Sequence, residues 1–161
     1  MQVLELGAGI GRFTRKLAER ARHVTAVDFL ETYIEKNRQS NQHLGNVEFV
    51  CMDVTQLKQD NGQYDMIFSN WLLMYLGDDE IDKLVRSMLR WLKPNGYLFI
   101  RESCIKQSGK RPRAANERRM FFNKFGQNQL KVNSGFASTR AIHKRDSRKQ
   151  SKICHARANF T

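Results

Sequence analysis

Cysteine is scarce in this 161-residue chain: Cys51, Cys104 and Cys154 are the three, with no C-x-x-C pair among them. That argues against a disulfide framework and suits a reducing, cytoplasmic setting. The four histidines (His23, His43, His143 and His155) lack metal-ligand spacing, and the neighbours Cys154 and His155 have no partners elsewhere, so no metal site is expected. No apolar run approaches the roughly 18 residues of a membrane helix, and no signal-peptide pattern opens the chain. Acidic residues are nearly missing from the C-terminal part. Residues 103–161 hold 15 Lys and Arg against 2 Asp and Glu, whereas residues 1–102 hold 13 against 14. The net charge of +12 is therefore a property of one end.

Two regions follow from that asymmetry. Residues 1–105 read as an ordinary enzyme-like core, and 106–161 as a basic, poorly ordered tail. The tail has neither steady alternation nor a helical stripe, and too little apolar content to offset its ordering entropy. It has no tyrosine, since the last is Tyr97. Its charge allows at most a weak contact with an acidic surface, a membrane or a nucleic acid.

What is present in the core is alternation of strand and helix. Gln2–Leu6, His23–Asp28, Val47–Met52, Tyr64–Ser69 and Tyr97–Arg101 read as short apolar strands. Between them lie helical patterns over Gly11–Arg22, Leu30–Gln42 and Asp78–Leu92. Phe13, Leu17 and Ala21 should form the inner face of the first, and Leu30, Tyr33 and Ile34 that of the second. Ile81, Leu84, Val85, Met88 and Leu92 form the stripe of the third, which Asp78 or Asp79 can cap and Pro94-Asn95-Gly96 stops. The fold class is α/β: a Rossmann-like, twisted parallel sheet with helices on both faces and right-handed crossovers. Ligands of such sheets bind at the carboxyl ends of the strands, where strand order switches. Gly7–Gly11, Asp28, Asp53 and Ser69–Trp71 all fall at such ends.

The first of these segments identifies a ligand class. Val3-Leu4-Glu5-Leu6 runs into Gly7-Ala8-Gly9-Ile10-Gly11, and Asp28 closes the next strand, placed to hold ribose hydroxyls. A dinucleotide fingerprint needs G-x-G-x-x-G, but the third fingerprint position here is Arg12. Glu5 places a carboxylate beside the loop, which would repel a pyrophosphate and attract the amino-acid end of S-adenosylmethionine (SAM). Asp53 can accept from an adenine amine. The balance favours SAM over NAD. Bland roles stay open: Glu5 paired with a neighbouring Arg or Lys, and Asp53 capping the turn at Val54-Thr55. Packing after a strand also accounts for Leu72, Leu73 and Met74, and remains possible for Trp71 and Tyr75.

Val3–Phe13 (VLELGAGIGRF), Phe68–Leu76 (FSNWLLMYL) and Gly96–Cys104 (GYLFIRESC) together resemble the first methyltransferase domain of the plant and nematode phosphoethanolamine N-methyltransferases, within the class I SAM-dependent methyltransferases. The resemblance spans residues 2 to about 108. It implies methyl transfer from SAM to the nitrogen of phosphoethanolamine, toward phosphocholine and phospholipid. It further implies that Glu5, Gly7 and Gly9 contact SAM, that Asp28 holds the ribose, that Asp53 with Val54 holds the adenine, and that Asn70 lies beside the methionine part. Trp71 and Tyr75 stand where single-domain members carry an Asp and a His close to the substrate, and are the candidate catalytic residues. The family's N-terminal helices and its phosphobase-clamping residues are not recognisable, so a truncated chain that binds SAM weakly and turns over little is expected. Two rivals remain. A nucleic-acid methyltransferase would want a proline-containing loop after Asn70, where Trp71-Leu72-Leu73 stands instead. The other rival is a non-enzymatic SAM-fold binding protein.

Overall fold

The computed structural model describes residues 1–102 and the backbone of residues 152–157. The chain builds β1 (Gln2–Leu6), α1 (Thr14–Ala18), β2 (His23–Asp28), α2 (Glu31–Asn41), β3 (Val47–Cys51), β4 (Tyr64–Asn70), α3 (Asp78–Trp91), β5 (Leu92–Glu102) and β6 (Lys152–Arg157). Short 3-10 turns cover Gln42–Leu44 and Leu73–Tyr75. The sheet order is β3-β2-β1-β4-β5-β6. Strands β1 to β5 pair in parallel, and β1 sits centrally, with Leu6 opposite Val27 on one side and Ser69 on the other. The chain leaves β1 in one direction for β2 and β3, then returns to its other side for β4. The strand order therefore reverses beside Leu6, and the crevice there opens directly onto the glycine turn.

Alternation along β1 divides the core. Leu4 and Leu6 join Val27, Ile67, Leu98 and the inner stripe of α3 on one face. Val3 joins Val24, Ala26 and Ala18 of α1 on the other. Strands β1 and β2 are buried on both faces, which is why they read as nearly continuous apolar runs. Of the stripe expected for α3, Ile81, Leu84, Val85 and Met88 are buried within the helix, joined by Trp91, which was not expected. Leu92 is buried too, but as the first residue of β5.

Several expectations are corrected. The first helix is a five-residue segment, Thr14–Ala18, rather than Gly11–Arg22. Its inward residues are Thr14 and Ala18, with Leu17 and Ala21 only partly buried. The Gly11 carbonyl, which would open a longer helix, also accepts from Asn41 Nδ2 at 3.2 Å, and its bond to Arg15 is stretched to 3.5 Å. In α2 the inner face is Ile34, Asn37 and Asn41, while Leu30 and Tyr33 are exposed where the helix overhangs the carboxyl edge. The N-cap of α3 is Gly77, whose N–H donates to Glu80 Oε2 at 2.8 Å; Asp78 and Asp79 lie in the first turn. Strand β5 begins at Leu92, before the Pro94-Asn95-Gly96 turn, and its register with β4 shifts between Tyr64 and Met66.

The sheet also has a sixth strand. Residues 106–161 were expected to be poorly ordered, yet Lys152–Arg157 pairs antiparallel with β5, with Ile100 opposite Cys154. Edge pairing is made by backbone groups, so a segment without a clear apolar pattern can supply it. The rest of the expected tail lies outside the described residues. Among the described residues, no helix is long and apolar enough to cross a membrane.

Candidate functional site

The site is built around five residues after β1. Gly7, Gly9 and Gly11 all have positive φ (72°, 55° and 88°), so the backbone coils back on itself in a way that L side chains resist. The Gly7 and Ala8 N–H groups donate to the Val27 carbonyl at 2.9 and 3.0 Å, fastening the turn to the end of β2. The Asp28 carboxylate completes that clamp: Oδ2 accepts from Gly9 N–H at 2.8 Å and Oδ1 from Leu30 N–H at 3.0 Å. Each oxygen has a further lone pair, which leaves capacity for hydroxyl donors from a ligand. A Cβ built on Gly9 meets nothing within 4 Å, so that side of the turn is open space.

Behind the turn lies Glu5, 2% exposed. It has no cationic partner among the described residues; instead Oε2 accepts from Thr14 Oγ1 at 2.6 Å. Burial pushes the Glu5 carboxyl up to about 8, opposed by the Thr14 bond and reinforced by the nearby Asp28 charge. At neutral pH the group therefore holds its proton for most of the time. It can attract a cationic ligand only by releasing that proton.

At the end of β3, Met52 N–H bonds to the Asp28 carbonyl at 2.9 Å, keeping the third strand end against the second. Asp53 is exposed, and its Oδ1 accepts from Thr55 N–H at 2.8 Å. It caps the following turn and keeps Oδ2 for other donors. The Val54 side chain is in the core, so only its backbone is left to meet a ligand there. Around this polar centre stand exposed apolar side chains: Ile10, Phe29, Leu30 and Met52. Sequence reasoning passed over that rim. Its clearest signal was Phe29 and Leu30, bulky apolar residues placed directly after the strand-end acid Asp28.

The fourth strand end comes in beneath the first glycine. A Cβ on Gly7 would lie 3.3 Å from Leu72 Cβ, so this glycine admits the Asn70–Leu73 segment. Glu102 at the end of β5 pins the same segment: Oε1 accepts from Leu72 and Leu73 N–H at 2.8 and 2.9 Å. Trp71 has φ 55°, donates its N–H to the Arg101 carbonyl at 2.9 Å, and leaves its ring half exposed. The Arg101 guanidinium lies 5.9 Å from that ring. Tyr75 is 79% exposed, and of the expected Leu-Leu-Met packing only Leu73 is fully buried, with Met74 exposed. Asn70 Oδ1, Ser69 Oγ and Arg101 Nε are shielded from solvent without hydrogen-bond partners among the described residues.

The structure thus brings Gly7, Gly9, Asp28 and Asn70 to neighbouring strand ends, with Glu5 buried behind the turn, Asp53 and Val54 following β3, and Trp71 and Tyr75 following β4. The residues missed are Thr14, Asn37 and Asn41 behind the turn, and Arg101 and Glu102 below it. Asn37 and Asn41 carried a faint signal, as two residues of low helix propensity four apart on one helix face.

Comparison with known proteins agrees with this geometry. Residues 3–96 match a family described as "Methyltransferase domain". The chain is 57% identical over 116 residues to phosphoethanolamine N-methyltransferase 1 of Zea mays, covering 71% of this chain and 23% of that one. It is 44% identical over 112 residues to the enzyme of the same name from Caenorhabditis elegans, covering 70% and 24%. A solved structure of phosphoethanolamine N-methyltransferase 1 from Haemonchus contortus, in complex with phosphoethanolamine and S-adenosylhomocysteine, superposes with a TM-score of 0.65 at 45% identity, covering 71% of this chain and 24% of that one. The chain spans about a quarter of the length of these relatives. With a matching domain over more than half its length and a parallel sheet turning at a glycine crevice, the chain belongs to the methyltransferase-domain family.

Proposed function

We propose that this chain carries a SAM-binding part of a phosphoethanolamine N-methyltransferase. One observation carries the reading: Asp28 clamps Gly9 N–H at 2.8 Å while the other side of Gly9 opens onto empty space. That is an open approach to the backbone with a carboxylate at its rim. The donor set fits SAM better than a dinucleotide, because the groups lining the crevice are carboxyl and amide oxygens rather than the bare N–H cluster a pyrophosphate requires.

SAM supplies an electrophilic methyl group on a sulfonium. The work of this chain is to hold it and to present an amine to it in line. Asp28 takes the ribose, Asp53 and the Val54 backbone the adenine, and the Ile10, Phe29, Leu30 and Met52 rim covers the flat base. Asn70, at the end of β4, stands beside the methionine end, Gly9 lets the backbone approach the ligand, and Gly7 lets the Leu72 segment pack beneath the turn. An ethanolamine-type amine has an ordinary pKa of roughly 10, so a proton must leave before it can attack. Tyr75, exposed to water, passes that proton to solvent. The open face of Trp71 receives the nitrogen as it gains methyl groups, a contact worth about 0.5–2 kcal/mol. Phosphoethanolamine as acceptor is supported by the named relatives and by the FSNWLLMYL segment beneath Gly7. A cytoplasmic setting and a weak acidic-surface contact through the basic residues 106–161 complete the reading. Because the rim is solvent-exposed, SAM binding is weak and turnover slow.

Transfer of a radiolabelled methyl group from SAM tests this with phosphoethanolamine, ethanolamine and RNA as competing acceptors. Slow labelling confined to phosphoethanolamine is expected. Labelling of RNA, or of ethanolamine at an equal rate, contradicts it.

A further inference from the structure

The three glycines serve three different neighbours. Gly7 makes room for Leu72, and Gly9 for open space. A Cβ on Gly11 would overlap the side-chain amides of Asn37 and Asn41, lying 2.6 Å from Asn37 Cγ. The third glycine therefore admits protein rather than ligand.

What it admits is a chain of donors that all point one way. Asn41 Nδ2 donates to Asn37 Oδ1 at 2.8 Å and to the Gly11 carbonyl at 3.2 Å. Asn37 Nδ2 donates to Thr14 Oγ1 at 2.9 Å, and Thr14 Oγ1 donates to Glu5 Oε2 at 2.6 Å. Asn37, Asn41, Thr14 and Glu5 are each 0–2% exposed. Two buried asparagines inside a helix are costly, both in propensity and in desolvation, unless every bond is made. An apolar pair would hold α2 to the sheet more cheaply. The network instead joins α2 to the two parts of the site that a ligand meets, the turn and the Glu5 carboxyl. Because Thr14 has one hydroxyl proton and spends it on Oε2, any proton on Glu5 sits on the other oxygen. Aligned donors also polarise one another, strengthening each bond.

We propose that Asn37 and Asn41, acting through Thr14 and Gly11, are positioning residues that set SAM affinity from behind the glycine turn. This rests on the methyltransferase reading above. The residues touch no ligand; they fix the coil of the turn and the orientation of Glu5.

The full chain with Asn41→Leu, Asn37→Leu or Thr14→Val, and Thr14→Ser as the conservative control, tests it in two ways. S-adenosylhomocysteine titration should show about tenfold or greater loss of affinity for the first three, and Thr14→Ser within about twofold of the parent. Amide hydrogen exchange without ligand should accelerate at Gly9 and Gly11 while β4 and β5 stay protected. Unchanged affinity and unchanged exchange overturn the proposal, and so does uniform acceleration across the sheet, which marks a purely structural role. If the parent chain fails to bind S-adenosylhomocysteine, the methyltransferase reading fails. Exchange at Gly9 and Gly11 then decides the positioning role alone.

Discussion

Two sides of one crevice are built in opposite ways. On the β1–β2 side, each of these polar groups beside the glycine turn is engaged: Asp28 through both oxygens, Glu5 by Thr14, Asn37 by Thr14 and Asn41, and Asn41 by Asn37 and Gly11. On the β4–β5 side, Ser69 Oγ, Asn70 Oδ1 and Arg101 Nε are buried without partners among the described residues, beside the exposed rings of Trp71 and Tyr75. Buried polar atoms are nearly always satisfied in a finished site. The difference separates a turn whose polar groups satisfy one another from a strand edge whose buried polar atoms find no partner among the described residues.

The strongest way to break this contrast is Gly11→Ala. It combines φ 88° with overlap of two asparagine side chains, so it should cost about 3–4 kcal/mol of stability, read by urea denaturation. A loss below about 1 kcal/mol would show that the turn is not held rigidly. Next is Glu102→Leu, which leaves Leu72 and Leu73 N–H without their acceptor and should cost about 2–3 kcal/mol, read the same way.

Titration sharpens the contrast further. Glu5 ionises near 4.5 in an unstructured chain, but burial in the fold, partly countered by Thr14, holds it near 8. Between those values the folded form carries the extra proton, so stability falls as pH rises, by up to about 1.4 kcal/mol per unit, and levels off above 8. Denaturation midpoints for the parent and Glu5→Gln across pH 5–9 would show that slope in the parent alone. Smallest is Tyr75→Phe. Its ring is mostly in solvent, so stability should move by less than about 0.5 kcal/mol, while methyl transfer slows if the hydroxyl passes the proton.

Which parts were legible follows from this physics. Strands β1 to β4 were readable within a residue or so: β1 and β2 because burial on both faces writes continuous apolar runs, and β3 from its β-branched and aromatic residues. The α3 stripe was readable because one buried face repeats every three to four residues. The first helix was not: its apolar spacing is helical, but a side chain 30 residues away takes the Gly11 carbonyl. Leu30 and Tyr33 misled because an apolar residue overhanging a crevice looks identical in sequence to one in the core. Within the site, Gly7, Gly9 and Asp28 were visible as a local pattern. Asn37 and Asn41 left only the faint mark of two poor helix formers on one face, and Glu102, acting on Leu72 and Leu73 thirty residues back, left none. Strand β6 was invisible because edge pairing is made by backbone groups.

A crystal grown with S-adenosylhomocysteine tests the central claim most directly. The account predicts density beside Gly9, with both ribose hydroxyls within hydrogen-bond distance of the Asp28 carboxylate. A clear space at Gly9 at saturating ligand, or Asp28 turned away from the sugar, would contradict it.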